Sequence, residues 1–214
     1  MKIISYYADI DGKTYYSDHH RRFLKDAESL GISCRIENLN SGLSYQENCL
    51  RKPQTIKNIL EKTKEPVLWV DIDSKIHKND FRVFEEMNSS VTFSAVAPAP
   101  AWRAIKASPL YFNYSPTAIS FLNEWIRRCN DAKVKEMKMF DHEVLFTMEK
   151  WMMENNCKYQ IVVDGRYCAW PGTCNEHTII EMGLSDNEQK RNILRGMNIS
   201  EDKINWQCRG DMFV

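Results

Sequence analysis

The chain has 214 residues, 43% of them hydrophobic, which suits one large domain with a real core. Lys+Arg and Asp+Glu both number 29, so the formal net charge is zero, and the basic surplus of a dedicated nucleic-acid binder is absent. A local basic pocket for a phosphate remains compatible with that balance.

Lys2 to Ala8, rich in Ile and Tyr, reads as a first strand. The opening MKIISYYADIDG turns polar too early for a signal h-region or a membrane span, and no later segment approaches the roughly 18 apolar residues a span needs. Asp11-Gly12 marks a turn. Phe23, Leu24, Ala27 and Leu30 recur at helical spacing and predict a helix over 19–30, with Gly31 as its stop. A second strand is expected over 33–39 and a polar loop over 40–45. Pro53 to Lys62 reads as a helix with Ile56, Ile59 and Leu60 inward. Pro66 then introduces the short apolar strand Val67-Leu68-Trp69-Val70, which runs into Asp71-Ile72-Asp73.

Beyond it, Phe81 and Phe84 suggest a short helix, and 91–97 is rich in β-formers. Pro98, Pro100 and Pro109 predict an irregular stretch around 102–110, followed by a short strand over 111–114. Ser115-Pro116 is a good helix start, with Pro at the first helical position, and the helix continues through Ile119, Leu122, Trp125 and Ile126. Another helix is expected from Asp141, with Val144, Leu145, Met148 and Trp151 on one face. Tyr159 to Val163 reads as a late strand, and the polar tail from Ser185 holds a helical stretch over 187–195. This alternation predicts an α/β sheet covered on both faces, with ligands at the carboxyl ends of strands. Tyr7 to Asp9 and the aspartate pair both fall there.

Asp71 and Asp73 point the same way in an extended chain, with Ile72 turned toward the core. Two like charges side by side repel, and a divalent cation is the usual remedy; Mg²⁺ and Mn²⁺ favour such oxygens and bridge to phosphate. The competing reading is a strand end with two solvated aspartates. The seven cysteines include no CxxC pair, so reduced thiols in a cytoplasmic setting fit better than a disulfide framework. Cys168, Cys174 and His177 can be drawn as a zinc cluster, but without the usual close cysteine spacing.

In order, YYAD, KPQTIKNIL, VLWVDIDS, a strand with a proline-rich loop, YFNYS and MFDHEVLF resemble the GT-A-type glycosyltransferases, and within them the domains encoded by chlorella viruses. The resemblance covers residues 1 to about 180. It implies a Rossmann-like GT-A fold with a mixed, mostly parallel central sheet and helices on both faces. It implies one domain over 1–214, with a nucleotide-binding part near 1–97, an acceptor and sugar part near 98–180, and a tail over 181–214.

The implied enzyme uses Mn²⁺ or Mg²⁺ to move a hexose or deoxyhexose from a nucleotide-diphosphate sugar to a glycan hydroxyl, with retention. A UDP-linked donor is favoured, GDP-linked second; the acceptor is a glycan or glycoprotein, and a viral chain would act in the host cytoplasm. Asp73 matches the direct metal ligand, and Asp71 the residue nearer the ribose or the metal's water. His177 is the expected third ligand, against a surface histidine beside Glu176. Tyr7, Ala8 and Asp9 are expected to hold the nucleoside. Arg51 and Lys52 are expected to approach the nucleotide, against a solvated helix end. Asp141 and Glu143 match an acidic pair facing the donor sugar, although acids at a helix amino terminus are also favoured by capping and the helix dipole. His142 departs from the commoner D-Q-E order. Asn113 is expected to bond the sugar or acceptor, and Trp102 and Arg103 either stack on a sugar or pack.

Two rivals stand beside this. A haloacid-dehalogenase-like phosphatase also places DxD after an apolar strand, but normally the first one, with Thr or Val where Lys75 stands here. A non-catalytic sugar-binding module keeps the fold without the chemistry. The Arg209-Gly210-Asp211 triplet is discounted as a chance tripeptide.

Overall fold

Neighbouring residues of the central strands feed two separate cores. In the computed structural model, which describes residues 1–10, 12–39, 42–95, 104–184 and 188–200, six strands form one sheet in the order β2-β1-β3-β6-β5-β7. They are β1 (Lys2–Tyr7), β2 (Cys34–Asn38), β3 (Val67–Trp69), β5 (Val91–Ala95), β6 (Ile105–Phe112) and β7 (Tyr159–Val163). All run parallel except β6, which lies antiparallel between β3 and β5. Ile4, Trp69 and Phe112 face one core, and their neighbours Ile3, Leu68 and Tyr111 face the other.

The first core is covered by α3 (Lys52–Thr63), α5 (Pro116–Val134) and α6 (Asp141–Phe146), which contribute Ile56, Ile59, Phe121, Leu122, Trp125 and Leu145. The second is covered by α1 (Tyr15–Ser29) and α4 (Arg82–Glu85), through Phe23 and Phe84. Burying each such side chain stabilises the fold by about 1.5–3 kcal/mol. The fold is therefore the expected α/β, Rossmann-like one: a mixed, mostly parallel sheet with helices on both faces. Strands from both sides of residue 97 build this single sheet. The remaining elements are α2 (Tyr45–Leu50), α7 (Glu149–Glu154), α8 (Glu188–Gly196), and the antiparallel pair β4 (Lys75–Ile76) and β8 (Ile180–Glu181). Among the described residues no helix is long and apolar enough to cross a membrane.

Local signals explain many boundaries. Ser115 Oγ accepts from Ala118 N at 3.1 Å and starts α5 just before Pro116. Gly31 follows α1 with φ +64°, a left-handed conformation that glycine adopts without strain. Three expectations needed correcting. Helix α1 begins four residues earlier than its apolar spacing indicates, because Asp9 Oδ1 accepts from both Tyr16 N and Ser17 N at 2.9 Å. The expected loop over 40–45 ends in a helix, α2, whose cap Ser44 is closed by Glu47 in a reciprocal capping box.

The third correction concerns the expected irregular stretch around 102–110. From Ile105 it is a strand, and the prolines mislead because Pro109 sits where β6 leaves its ladder with β5. Phe93 pairs with Leu110 but the next residue, Ser94, pairs with Lys106, so 107–109 bulge out of register. Pro98, Pro100, Trp102, Arg103 and the Arg209-Gly210-Asp211 triplet lie outside the described residues.

Candidate active site

A cleft of about 490 Å³ opens at the carboxyl ends of β1 and β3. Tyr7 and Ala8 line it from β1, and Asp71, Ile72 and Asp73 from beyond β3. Because β6 runs against β3, it is the beginning of β6 that reaches this end of the sheet, bringing Lys106, Ala107 and Ser108. The amino terminus of α6 adds Asp141, His142 and Glu143, and the first turns of α1 and α2 add Tyr16 and Tyr45.

Lys52 ties the inner wall together. It stands at the first position of α3, after the junction residue Arg51, whose Nη1 donates to Leu39 O at 3.1 Å. Only 5% of Lys52 is exposed. Its Nζ lies 2.9 Å from Asp71 Oδ1 and 2.6 Å from Asp141 Oδ2, and donates to Ala107 O at 3.2 Å. It also sits 5.6 Å from the centre of the Trp69 ring. Burial by itself would lower the ammonium's pKa, but Asp141 and Asp71 outweigh it and raise it above the ordinary lysine value. For Asp71 burial is the larger effect and pushes the carboxyl up, against Lys52 and with Asp73 and Asp141 adding to the rise.

The bulge in β6 completes this wall. Ala107 O, displaced from the ladder, receives Lys52, and Ser108 Oγ accepts from Asp71 N at 2.8 Å. Trp69 Nε1 donates to Asp71 Oδ1 at 2.7 Å, so Oδ1 carries both Lys52 and Trp69. Asp141, 6% exposed, takes part through its backbone as well, its carbonyl accepting from Trp125 Nε1 at 3.3 Å. Asp73 belongs to a different setting. After burial, its charge is the largest influence raising the Tyr16 hydroxyl, and it also raises that of Tyr45. Its backbone carbonyl accepts from Leu184 N at 2.8 Å, joining the aspartate turn to the segment after β8.

Tyr7, Ala8, Lys52, Asp71, Asp73, Asp141 and Glu143 thus line one cleft. Lys52 is a buried bridge between carboxylates rather than an open basic group. Glu143 Oε2 accepts from Phe140 N at 2.9 Å, so it caps α6 while lining the cleft. His142 Nε2 donates to Ile105 O at 3.1 Å and its ring packs on Phe146, while burial lowers its pKa.

Three expected residues are elsewhere. The carboxylate of Asp9 caps α1, with Ser17 Oγ donating to its second oxygen, and does not line the cleft. Asn113 follows β6 where that strand pairs with the start of β3, at the opposite end of the sheet, and its N–H donates to Ser90 O at 3.0 Å. His177 is on the surface, its side chain 70% exposed and 3.3 Å from Glu176, and is not among the cleft residues.

Conversely, Tyr16, Tyr45, Lys106, Trp170, Met182 and Gly183 line the cleft without having been singled out. Lys106 Nζ lies 5.3 Å from the Trp170 ring centre, and burial lowers its pKa. A lysine in the middle of a proline-punctuated stretch was the one available signal for this corner.

No protein-family model matches the sequence, and no curated protein matches it. Solved structures do share its fold. A glycosyltransferase involved in the glycosylation of the major capsid of PBCV-1 superposes with TM-score 0.63 at 14% identity, over 92% of this chain and 98% of that one. The galactosyltransferase LgtC, solved with donor and acceptor sugar analogs, superposes with TM-score 0.53 at 10% identity, over 93% and 95%. The chain therefore has the fold of GT-A-type glycosyltransferases over nearly its whole length.

Proposed function

We propose that this chain is a metal-dependent glycosyltransferase that moves a hexose or deoxyhexose from a nucleotide-diphosphate sugar, UDP-linked in preference, to a glycan hydroxyl. One observation carries the reading: in a glycosyltransferase fold, Asp71 and Asp73 share a cleft with Asp141, which Lys52 ties to Asp71. The carboxylates fit a hard divalent cation such as Mn²⁺ or Mg²⁺. Lys52 and Trp69 both bind Oδ1 of Asp71, leaving Oδ2 for a ligand, and Asp73 adds a second carboxylate beside it. When bound, such a cation neutralises charge on a leaving diphosphate.

The chain's own residues divide the remaining work. Tyr7, stacked on His20 at 4.4 Å, and the small Ala8 offer a flat wall for a nucleoside base. Lys106 supplies positive charge for phosphate, and Asp141 with Glu143 faces the sugar. Both of these acids already hold a partner, Lys52 and the Phe140 N–H respectively. In this reading the two acids orient the sugar and transfer proceeds with retention. The likeness to a capsid glycosyltransferase supports a glycoprotein glycan as acceptor.

Calorimetric titration of UDP and GDP, each with and without Mn²⁺, tests the reading. UDP should bind only with the metal, and Asp73→Ala should weaken that binding by tenfold or more while leaving the fold intact. Absence of nucleotide binding in every condition would overturn the proposal and promote the phosphatase or the sugar-binding module.

A further inference from the structure

We propose that His77, Cys174 and Glu181 form a zinc site outside the cleft, separate from the aspartate pair. A ring nitrogen of His77, the Cys174 sulfur and a Glu181 carboxylate oxygen all lie within 4.8 Å of one another. His77 follows β4 and Glu181 ends β8, and the antiparallel pairing of Lys75 with Glu181 and Ile76 with Ile180 sets both side chains at one corner. His77 N donates to Ile179 O at 2.9 Å, which extends that pairing by one residue. Cys174 arrives on the loop before β8, shaped by Thr173 N donating to Trp170 O at 3.0 Å and Asn175 N to Thr178 Oγ1 at 3.0 Å. Two stretches distant in sequence, one with His77 and the other with Cys174 and Glu181, thus deliver three ligands of different type.

The donor set selects the metal. Thiolate, imidazole and carboxylate together suit zinc, whereas Mg²⁺ and Mn²⁺ favour the oxygens found in the cleft. Without metal, His77 Nε2 and Glu181 Oε2 pair directly at 3.0 Å. A zinc ion replaces that contact with bonds to both and adds the cysteine, with water completing a tetrahedron. Its place gives it a structural role. Glu181 leads directly into Met182 and Gly183 of the cleft wall, and His77 follows the turn that bears Asp73. The metal would pin these two cleft-forming segments to each other, alongside the contact from Leu184 N to Asp73 O.

The test uses the full chain, stripped with a chelator, equilibrated with zinc, desalted and assayed for bound metal. Wild type and Asp73→Ala should each retain about one zinc per chain. Cys174→Ser and His77→Ala should retain less than about a tenth of that. Cobalt loaded in place of zinc should give thiolate-to-metal charge-transfer absorption in wild type and Asp73→Ala, and none in Cys174→Ser. Circular dichroism checks that the variants are folded, and Cys174 is exposed, so serine is tolerated there. A wild type that retains no zinc, variants that retain the full amount, or zinc lost on Asp73→Ala alone would each overturn the proposal. Should a ligand variant fail to fold, the wild-type cobalt spectrum decides: no thiolate band, no site.

Discussion

The corner around Lys52 and the corner around His77 both gather acidic and polar side chains, but only in the first does a buried ammonium sit in contact with the carboxylates. At Lys52 a buried ammonium lies between two carboxylates and a backbone carbonyl. At His77 an imidazole ring faces Glu181, with a thiol beside them. The difference is one of permanence. A charge cluster whose countercharge is covalently part of the chain is fixed once the fold forms, and it can hold Asp141 and Asp71 in place whatever is in solution. A cluster that lacks one responds to what solution offers.

The largest effect expected from this contrast follows removal of the internal cation. Lys52→Met should cost about 3–5 kcal/mol in urea unfolding, because it strands the buried carboxylate of Asp141. Asp141→Asn in the same chain should restore part of the loss. A double-mutant cycle should then show coupling of about 1–3 kcal/mol; simple additivity would dissolve the Lys52 cluster as a unit. Next in size is the response of the other corner. Zinc at 100 times its dissociation constant should stabilise wild type by about 2.7 kcal/mol, and Cys174→Ser should not respond.

The smallest effect comes from a surface network on α5, in which an exposed Arg127 covers the partly buried Glu124, and which serves as a baseline. Arg127, against a lesser opposing effect of burial and with help from Arg128, lowers the Glu124 carboxyl from 4.5 to about 2. A lowered acid stabilises the fold above its unfolded value and loses that contribution as pH falls from about 4.5 toward 2. Glu124→Gln should flatten the acid limb of a stability–pH curve by less than about 1 kcal/mol, and salt should diminish the difference. A larger change would make this surface pair comparable to the Lys52 cluster and blur the distinction.

Much of the fold was legible because it rests on neighbours in sequence. The apolar run Val67–Trp69 and the cap at Ser115 are local, and the aspartates at a strand's end announced a site. What was hidden depends on contacts that local pattern does not encode. Asp9 caps a helix seven positions away, so the start of α1 could not be read from Thr14. The bulge in β6 hides behind Pro109, which alone argues for a loop. Lys52 reads as a solvated helix end until Asp71 and Asp141 are seen around it. Cys174 was grouped with His177 on proximity in sequence, whereas it meets His77 and Glu181, which are 104 positions apart.

By receiving the first amides of α1, Asp9 also installs an anion at the positive end of that helix, beside the cleft residue Tyr16. A helix start that could have cradled a phosphate is thereby already answered from within the chain. Among the described residues lining the cleft, the ammonium of Lys52 is likewise taken by carboxylates, which leaves Lys106 as the remaining basic side chain. Lys52 and Lys106 against four carboxylates, Asp71, Asp73, Asp141 and Glu143, make an unloaded cleft disfavour the diphosphate we propose for it. On the reading proposed above, the cation, which the carboxylates attract, would have to enter before the diphosphate or together with it.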